Sequence, residues 1–203
     1  QFRLSAKGKL DVLDPDSKII YTPKLTNALG TATDVELTGA NADLFDAEVV
    51  NGTIHLTLAK SGDNYSTKAT YKIVPLLTIC DQQVKGPALS IKVTQSALKL
   101  SALPNRTVYT SQATPLVQTL RITAPAAAEI GDVTLNAKTS AALRSALDTA
   151  GGLQCRGATI AFPAKAFTGL MPGNYTVILD IIPVNAASDS KTTQAKFTLT
   201  VKK

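Results

Sequence analysis

Few residues in this chain are equipped for chemistry. Its 203 residues include one histidine and two cysteines. His55 stands in GTIHLTLA, on the polar side of an apolar alternation that puts Ile54, Leu56 and Leu58 inward and His55 and Thr57 outward. Hydrolytic triads and most zinc sites need a histidine with partners, so a lone strand histidine reads as solvent-facing. Cys80 follows the apolar run PLLTI and is expected to be a small buried hydrophobe. Cys155, in LQCRG, is expected to be more exposed. Neither cysteine lies in a nucleophile motif, and their spacing is neither a disulfide framework nor a metal-ligand pattern.

Carboxylates group twice, at Asp11, Asp14 and Asp16 and at Asp43, Asp46 and Glu48. Such groups can bind calcium or act as acid and base. Neither group has the EF-hand spacing, and Asp14-Pro15-Asp16-Ser17 is explained by turn chemistry. Where the first half of the chain reads DVLDPDS, the second reads SALPNRT, so a metal is no part of a shared design. No catalytic, cofactor-binding or metal residue is assigned, and the chain is read as non-enzymatic. Asn51, Asn64, Asn105 and Asn174 fit N-x-[ST], which matters only where N-glycosylation operates.

The net charge of +6 comes from 21 basic and 15 acidic residues, with the lysines scattered singly. That describes a solvated polar face, without the arginine cluster or aromatic-interleaved basic run of a nucleic-acid binder. No apolar run approaches the ~18 residues of a membrane helix, so no membrane insertion is expected of this stretch.

The elements that would position these residues are strands. Thr and Val are frequent, Trp is absent, and long helical periodicity is missing. KIIYTPKL (Lys18 to Leu25) is a strand that Pro23 places near an edge or bend, and Asn27 to Thr33 is loop. Asp34 to Leu37 and Leu44 to Val50 are short strands, the latter closed by the tight-turn pair Asn51-Gly52. Ala69 to Ile79 is the longest apolar stretch and the expected central strand. Asp81 to Pro87 turns the chain into ALSIKVTQ. About seven strands with regular turn signals describe a sandwich.

The pattern then repeats. FRLSAKGKL at the start, ALSIKVTQSALKL in the middle and AKFTLTVKK at the end share one alternation. Ile20-Tyr21-Thr22 matches Val108-Tyr109-Thr110, and Asp34-Val35 matches Asp132-Val133. Thr53-Ile54 matches Thr159-Ile160, Tyr71 matches Tyr175, and Val93 matches Val201. The growing spacing locates two insertions. One falls at LVQTLRITA, read as an extra strand. The other falls at Thr139 to Gly152, read as a short helix with Leu143 and Leu147 inward and Arg144 and Asp148 outward. FTGLMPG, Phe167 to Gly173, reads as one further turn. The expected domains are residues 1–96 and 97–203, with residues 1–6 closing a preceding repeat.

Units ending in such a strand and passing straight into KLxxL, then (I/V)-(I/V)-Y-T, resemble the tandem immunoglobulin-like or cadherin-like domains of large bacterial cell-surface, adhesin-type proteins. The resemblance implies two all-β Greek-key sandwiches, the second carrying the helical insertion. It also implies an extracellular setting, anchored to a cell through parts outside this stretch, and a non-catalytic structural or adhesive role. The implied partners are neighbouring repeats and protein or glycan ligands on a host or neighbouring cell. One departure stands out: cadherins proper hold their joints with calcium through paired carboxylates, and Thr94 to Leu103 has none. The last strands also lack the asparagine of an internal isopeptide bond. A joint of Thr94-Gln95-Ser96-Ala97 has no glycine and predicts a stiff rod rather than a free tether. The alternative role is a carbohydrate-binding sandwich, for which exposed aromatics offer flat apolar faces. Tyr21, Tyr71, Tyr109 and Tyr175 fall in matched strand positions and read as framework, which leaves Tyr65, on a turn, for a sugar.

Overall fold

The computed structural model describes residues 2–25 and 30–203. Asn27 to Leu29 of the expected loop lie outside the described residues. The chain divides into two compact units, Gln1–Ser96 with Asn185–Ser190, and Ala97–Val184 with Lys191–Lys203. Each is an immunoglobulin-like β-sandwich, and the second carries a helical insertion.

The first unit begins with β1 (Phe2–Asp11), which pairs antiparallel with β2 (Lys18–Leu25) from Phe2 opposite Leu25 to Lys9 opposite Lys18. Residues 2–6 therefore do not form a separate closing strand of a preceding repeat. They are the first half of β1, because their pairing with β2 continues without a break through Lys7 to Lys9. Pro23 lies where β2 has run past its second neighbour, β5 (Thr53–Leu58), which pairs only with Ile19 to Tyr21. With β4 (Phe45–Val50) outside β5, one sheet reads β4-β5-β2-β1. Asn51 and Gly52 form the β4–β5 hairpin turn at φ 50° and 75°, the left-handed pair that a type I′ turn requires.

The second sheet centres on β6 (Tyr71–Ile79), as the apolar run predicts. It lies between β3 (Ala32–Thr38) on one side and β7 (Gln82–Lys85) and β8 (Leu89–Ile91) on the other. Pro75 sits inside this central strand, where a missing N–H is normally costly. The cost is avoided because β7 pairs with Leu76 to Ile79 and β8 with Tyr71 to Ile73, so Pro75 falls in the gap between them. β9 (Val93–Thr94) then leaves this sheet and lies parallel to the end of β1, with Val93 beside Leu10. Ile54, Leu56, Ile73, Leu77, Ile91 and Val93 are buried between the sheets. At ~25 cal/mol per Å² of apolar surface, that burial is the main favourable contribution to the unit's stability.

The second unit opens with β10 (Lys99–Leu100) and β11 (Arg106–Tyr109). β12 (Leu116–Thr119) and β13 (Ile122–Ala124) follow, then β14 (Ile130–Leu135). After the helix α1 (Ala141–Thr149) come β15 (Gln154–Arg156) and β16 (Thr159–Phe162). The helical turn α2 (Lys165–Thr168) leads to β17 (Gly173–Pro183) and β18 (Thr193–Lys202). The sheets read β11-β18-β17-β14 and β12-β16-β15, with β10 on β13.

Register fixes the correspondence between units. Val133 lies opposite Ile181 as Val35 lies opposite Leu77. The same bulge interrupts both pairs, at Thr33 between Ala32 and Asp34 and at Gly131 between Ile130 and Asp132. Val108 lies parallel to Val201 as Leu10 lies parallel to Val93. So β11 corresponds to the end of β1, and the match of Ile20-Tyr21-Thr22 to Val108-Tyr109-Thr110 is corrected. The true partner of β2 is β12, since Gln118 faces Ile160 as Tyr21 faces Ile54. LVQTLRITA is thus no insertion, and it is not one strand. It breaks at Leu120-Arg121, where the Leu120 amide bonds the Ala158 carbonyl, and β12 and β13 join different partners.

α1 is the true insertion. Leu143 and Leu147 are fully buried and Asp148 is exposed, but Arg144 is half-buried, with its Nε lacking a hydrogen-bond partner. Thr139 and Ser140 do not cap the helix with their side chains. Thr139 Oγ1 instead bonds both polar backbone groups of Ile178, and Ser140 Oγ accepts from the Thr176 amide. These bonds pin the helix start to β17.

Candidate functional site

The two units share one recognisable corner, where the chain leaves β5 or β16 and enters β6 or β17. A framework tyrosine ties it down in each. The Tyr71 hydroxyl accepts from the Ser66 amide at 2.6 Å, and the Tyr175 hydroxyl donates to the Met171 carbonyl at 2.7 Å. This is the tyrosine corner of immunoglobulin-like sandwiches. The sequence match of Tyr71 to Tyr175 therefore has a physical basis.

In the first unit the corner is closed. Tyr65 is fully buried. Its hydroxyl donates to the Leu44 carbonyl and accepts from the Lys60 amide at 3.0 Å. Its ring packs against Phe45 and Tyr71, with centroids 5.9 and 6.0 Å away. Burial pushes the hydroxyl's pKa up. This corrects the expectation that Tyr65 is open to a sugar: the turn at Gly62–Asn64 exposes its polar residues and points the ring into the core. The segment Asn185–Ser190 covers the corner. The Ser188 amide and hydroxyl both donate to the Tyr65 carbonyl, at 2.8 and 2.9 Å. Asp189 accepts from the Thr67 amide at 2.8 Å and from the Thr67 and Ser66 hydroxyls at 3.0 Å each. The Thr67 amide leads these bonds in holding its pKa down at about 2. Gln95 accepts from the Ala187 amide and donates to the Ser190 hydroxyl, both at 2.8 Å. Gly62 is obligatory here, since a Cβ would overlap the Asn185 carbonyl.

In the second unit the corresponding corner is only partly open, with Leu170 buried. Counting back from Tyr175 as from Tyr71, Leu170 and Met171 stand where the first unit has Ser66 and Thr67. Met171 is 79% exposed. α2 replaces the turn of the first unit, and between α1 and α2 lies a cleft of about 500 Å³. Ala142, Ala146, Ala166, Met171 and Tyr175 line it, together with Lys165 and Thr168.

The other residues singled out from the sequence scatter. His55 faces away from Ile54 and Leu56, but its side chain is only 14% exposed, and Nδ1 lies 4.0 Å from Glu48. Its strand lies between two others, with Glu48 and Ile20 as its cross-strand neighbours, which the alternation of one strand does not reveal. Asp43 and Asp46 line a shallow cleft with Lys60, and Glu48 is not among its lining residues. Asp11 is 1% exposed and is a structural latch. Burial alone would raise its pKa. Bonds from the Ser96 hydroxyl and amide, the Leu13 amide and Lys9 outweigh that and hold it below the ordinary carboxylate value. Asp14 instead shapes its own turn by accepting from the Asp16 amide. Cys80 is exposed, not buried. The apolar run ends at Ile79, and Cys80-Asp81, at φ 49° and 60°, form a two-residue hairpin turn into the unforeseen β7. Cys155 is exposed on β15, with Sγ 3.6 Å from the Val133 carbonyl, and desolvation pushes its thiol's pKa up. Among the described residues no three His, Cys, Asp or Glu side chains group to hold a metal. Of the four expected framework tyrosines, Tyr21 and Tyr71 are buried, Tyr175 is half-buried and Tyr109 is 49% exposed on β11.

No family model matches the chain, and no curated protein matches it. Among solved structures it is similar to the I9–I11 tandem of titin, at 10% identity and a TM-score of 0.34, over 100% of this chain and 66% of that one. It is similar to human mucin-like protocadherin EC1-2, at 14% identity and a TM-score of 0.36, over 100% and 98%. It is similar to Drosophila N-cadherin EC1-4, at 12% identity and a TM-score of 0.36, over 100% and 49%. The chain thus spans less than two thirds of the titin tandem and about half of the N-cadherin chain. These neighbours are tandem immunoglobulin-like and cadherin-like domains.

Proposed function

We propose that this chain is a non-catalytic, load-bearing repeat module of a bacterial cell-surface protein. The observation that carries this reading is the parallel closing pair, built once in each unit. β1 enters beside β9, and β11 beside β18, each pair running in the same direction. Tension applied to the two ends of a unit then pulls such a pair in shear. All its hydrogen bonds, including that from the Val12 amide to the Thr94 carbonyl at 3.0 Å, resist together rather than opening one by one. The repetition of bulge, tyrosine corner and closing pair supports a module selected for its frame. A carbohydrate-binding role loses its main candidate with the burial of Tyr65.

Single-molecule stretching between the chain ends tests the reading. Two abrupt unfolding steps are expected, and their force should drop when Val12→Pro removes one closing amide. Unfolding at low, graded force would overturn the load-bearing role. A glycan array tests the alternative: a specific, saturable signal would favour carbohydrate binding.

A further inference from the structure

The two closing pairs differ in length. In the second unit β11 runs beside β18 over four positions, from Arg106 with Leu199 to Tyr109 with Lys202. In the first, β1 meets β9 at two, Leu10 with Val93 and Asp11 with Thr94. One further backbone bond follows each pair, from the Val12 amide to the Thr94 carbonyl at 3.0 Å and from the Thr110 amide to the Lys202 carbonyl at 2.9 Å. Asp11 therefore corresponds to Tyr109, yet Tyr109 is 49% exposed and Asp11 is buried. The Asp11 carboxylate reaches past the end of β9. The Ser96 amide donates to Oδ1 at 3.1 Å, and the Ser96 hydroxyl donates to Oδ2. The Leu13 amide also donates to Oδ1, at 3.1 Å, and Lys9 Nζ lies 3.2 Å from Oδ2. The Ser17 hydroxyl accepts from the Asp11 amide at 2.9 Å and donates to the Asp11 carbonyl at 3.1 Å, which holds the Asp11 backbone in place. Ser96 is the residue at which the first unit passes into Ala97 of the second.

We propose that the Asp11 carboxylate is a clasp that takes up tension at Ser96 and makes the first unit's short closing pair hold. This rests on the load-bearing reading and names the side chain that bears the load. A pull on the chain beyond Ser96 meets the two carboxylate bonds before it meets the backbone bonds of Thr94. Hydrogen bonds to a charged acceptor are about twice as strong as neutral ones. Burial keeps water from capturing the donors while the bonds lengthen. The Leu13 amide and the Ser17 hydroxyl fix Asp11 to the β1 side, so the carboxylate cannot follow Ser96 as it moves. Lys9 adds little, because its side chain is 64% exposed. The second unit has no need of such a clasp, since its closing pair is longer by two backbone positions.

The test stretches the full chain between its ends at constant force. The first unit's step is recognised by its smaller gain in length, from Gln1–Ser96 rather than Ala97–Lys203. Asp11→Asn keeps the size of the side chain but removes its charge and one acceptor oxygen, and should raise the first unit's unfolding rate about tenfold. Ser96→Ala, which loses only a hydroxyl at a half-buried position, should leave the fold intact and raise that rate about threefold. The double variant should fall short of the product of the two, because both cut the same bonds. The second unit's rate should stay the same in all three. Ile73→Val, in the core of the other sheet, is the comparison. It should lower the first unit's melting temperature but leave its unfolding rate under force within about twofold. Unchanged rates in Asp11→Asn and Ser96→Ala, or an equal acceleration by Ile73→Val, would overturn the clasp while two abrupt steps still supported load bearing. Graded unfolding of the unaltered chain would overturn load bearing and the clasp together.

Discussion

The corner of the first unit and the corner of the second are built on the same tyrosine yet end in different states. In the first, three aromatic rings interlock, with Phe45 and Tyr71 centroids 5.7 Å apart, and a distant segment seals the turn. In the second, a helical turn buries Ala166 and Phe167 and leaves Met171 to solvent. The difference shows where this frame tolerates change. Paired strands have hydrogen-bond obligations that any rearrangement would break. The corner only has to return the chain to the next strand and satisfy one tyrosine hydroxyl.

The largest expected effect tests whether the inserted helix belongs to the core of its unit. Leu143→Asp would place a carboxylate at a fully buried position, at a cost of several kcal/mol. Calorimetry should show the second unit's transition lost and the first unit's kept at a lower temperature, because its cover, Asn185–Ser190, lies between β17 and β18. An unchanged thermogram would mean α1 is an ornament. Next, Gly62→Ala should strain the sealed corner by about 1–3 kcal/mol, while Gly169→Ala, which meets open space in the other corner, should cost far less. Equal losses, read by denaturant titration, would erase the contrast.

The two tyrosines give a finer test. Tyr71→Phe would strip the Ser66 amide of its acceptor and should cost about 1–3 kcal/mol. Tyr175→Phe would free only the Met171 carbonyl, whose residue is exposed and can turn to water, so about 1 kcal/mol or less is expected. The smallest effect is a pH dependence. The Asp189 carboxyl is depressed from 3.8 to about 2. A depressed carboxylate contributes stability that is present above its unfolded pKa and lost as pH falls through its folded one. The first unit should therefore lose stability between about pH 4 and pH 2, and Asp189→Asn should flatten that part of the curve. The second unit's corner has no such carboxylate and should lack this dependence. An unaltered curve in the variant would assign the acid sensitivity elsewhere, Asp11 being the next group to test.

Much of the frame is legible in the sequence, for identifiable reasons. β6 and β18 alternate buried and exposed positions with period two, which hydropathy reports directly. Asn51-Gly52 and the Leu143/Leu147 pair are equally local signals. The sequence misleads where the deciding partner is far away along the chain. A short string such as Val-Tyr-Thr suits many strands, and only the parallel register with β18 shows that β11 corresponds to the end of β1. Cys80 reads as buried because apolar residues precede it, but the turn that exposes it is set by the return of β7. Tyr65 reads as available because it follows a polar turn, while its cover comes from the aromatic pair and from Asn185–Ser190. That segment, NAASDS, carries no apolar periodicity, so nothing in it signals a docking role. The partly open corner is equally hidden, since Met171 gains meaning only when aligned with Thr67.

The composition of the first unit has a consequence for how the chain is made. Synthesis runs from the amino end at ~5–20 residues per second, and the first unit is complete only when Asn185–Ser190 has been added to Gln1–Ser96. For the several seconds needed to translate the residues between them, the nascent first unit must exist with the Gly62–Thr67 turn uncovered and the Ser66 and Thr67 donors facing water. A nascent chain that has emerged past Ser96 but not yet as far as Asn185 would hold a sandwich that is paired but unsealed, open to chaperones and proteases at a place the finished protein conceals.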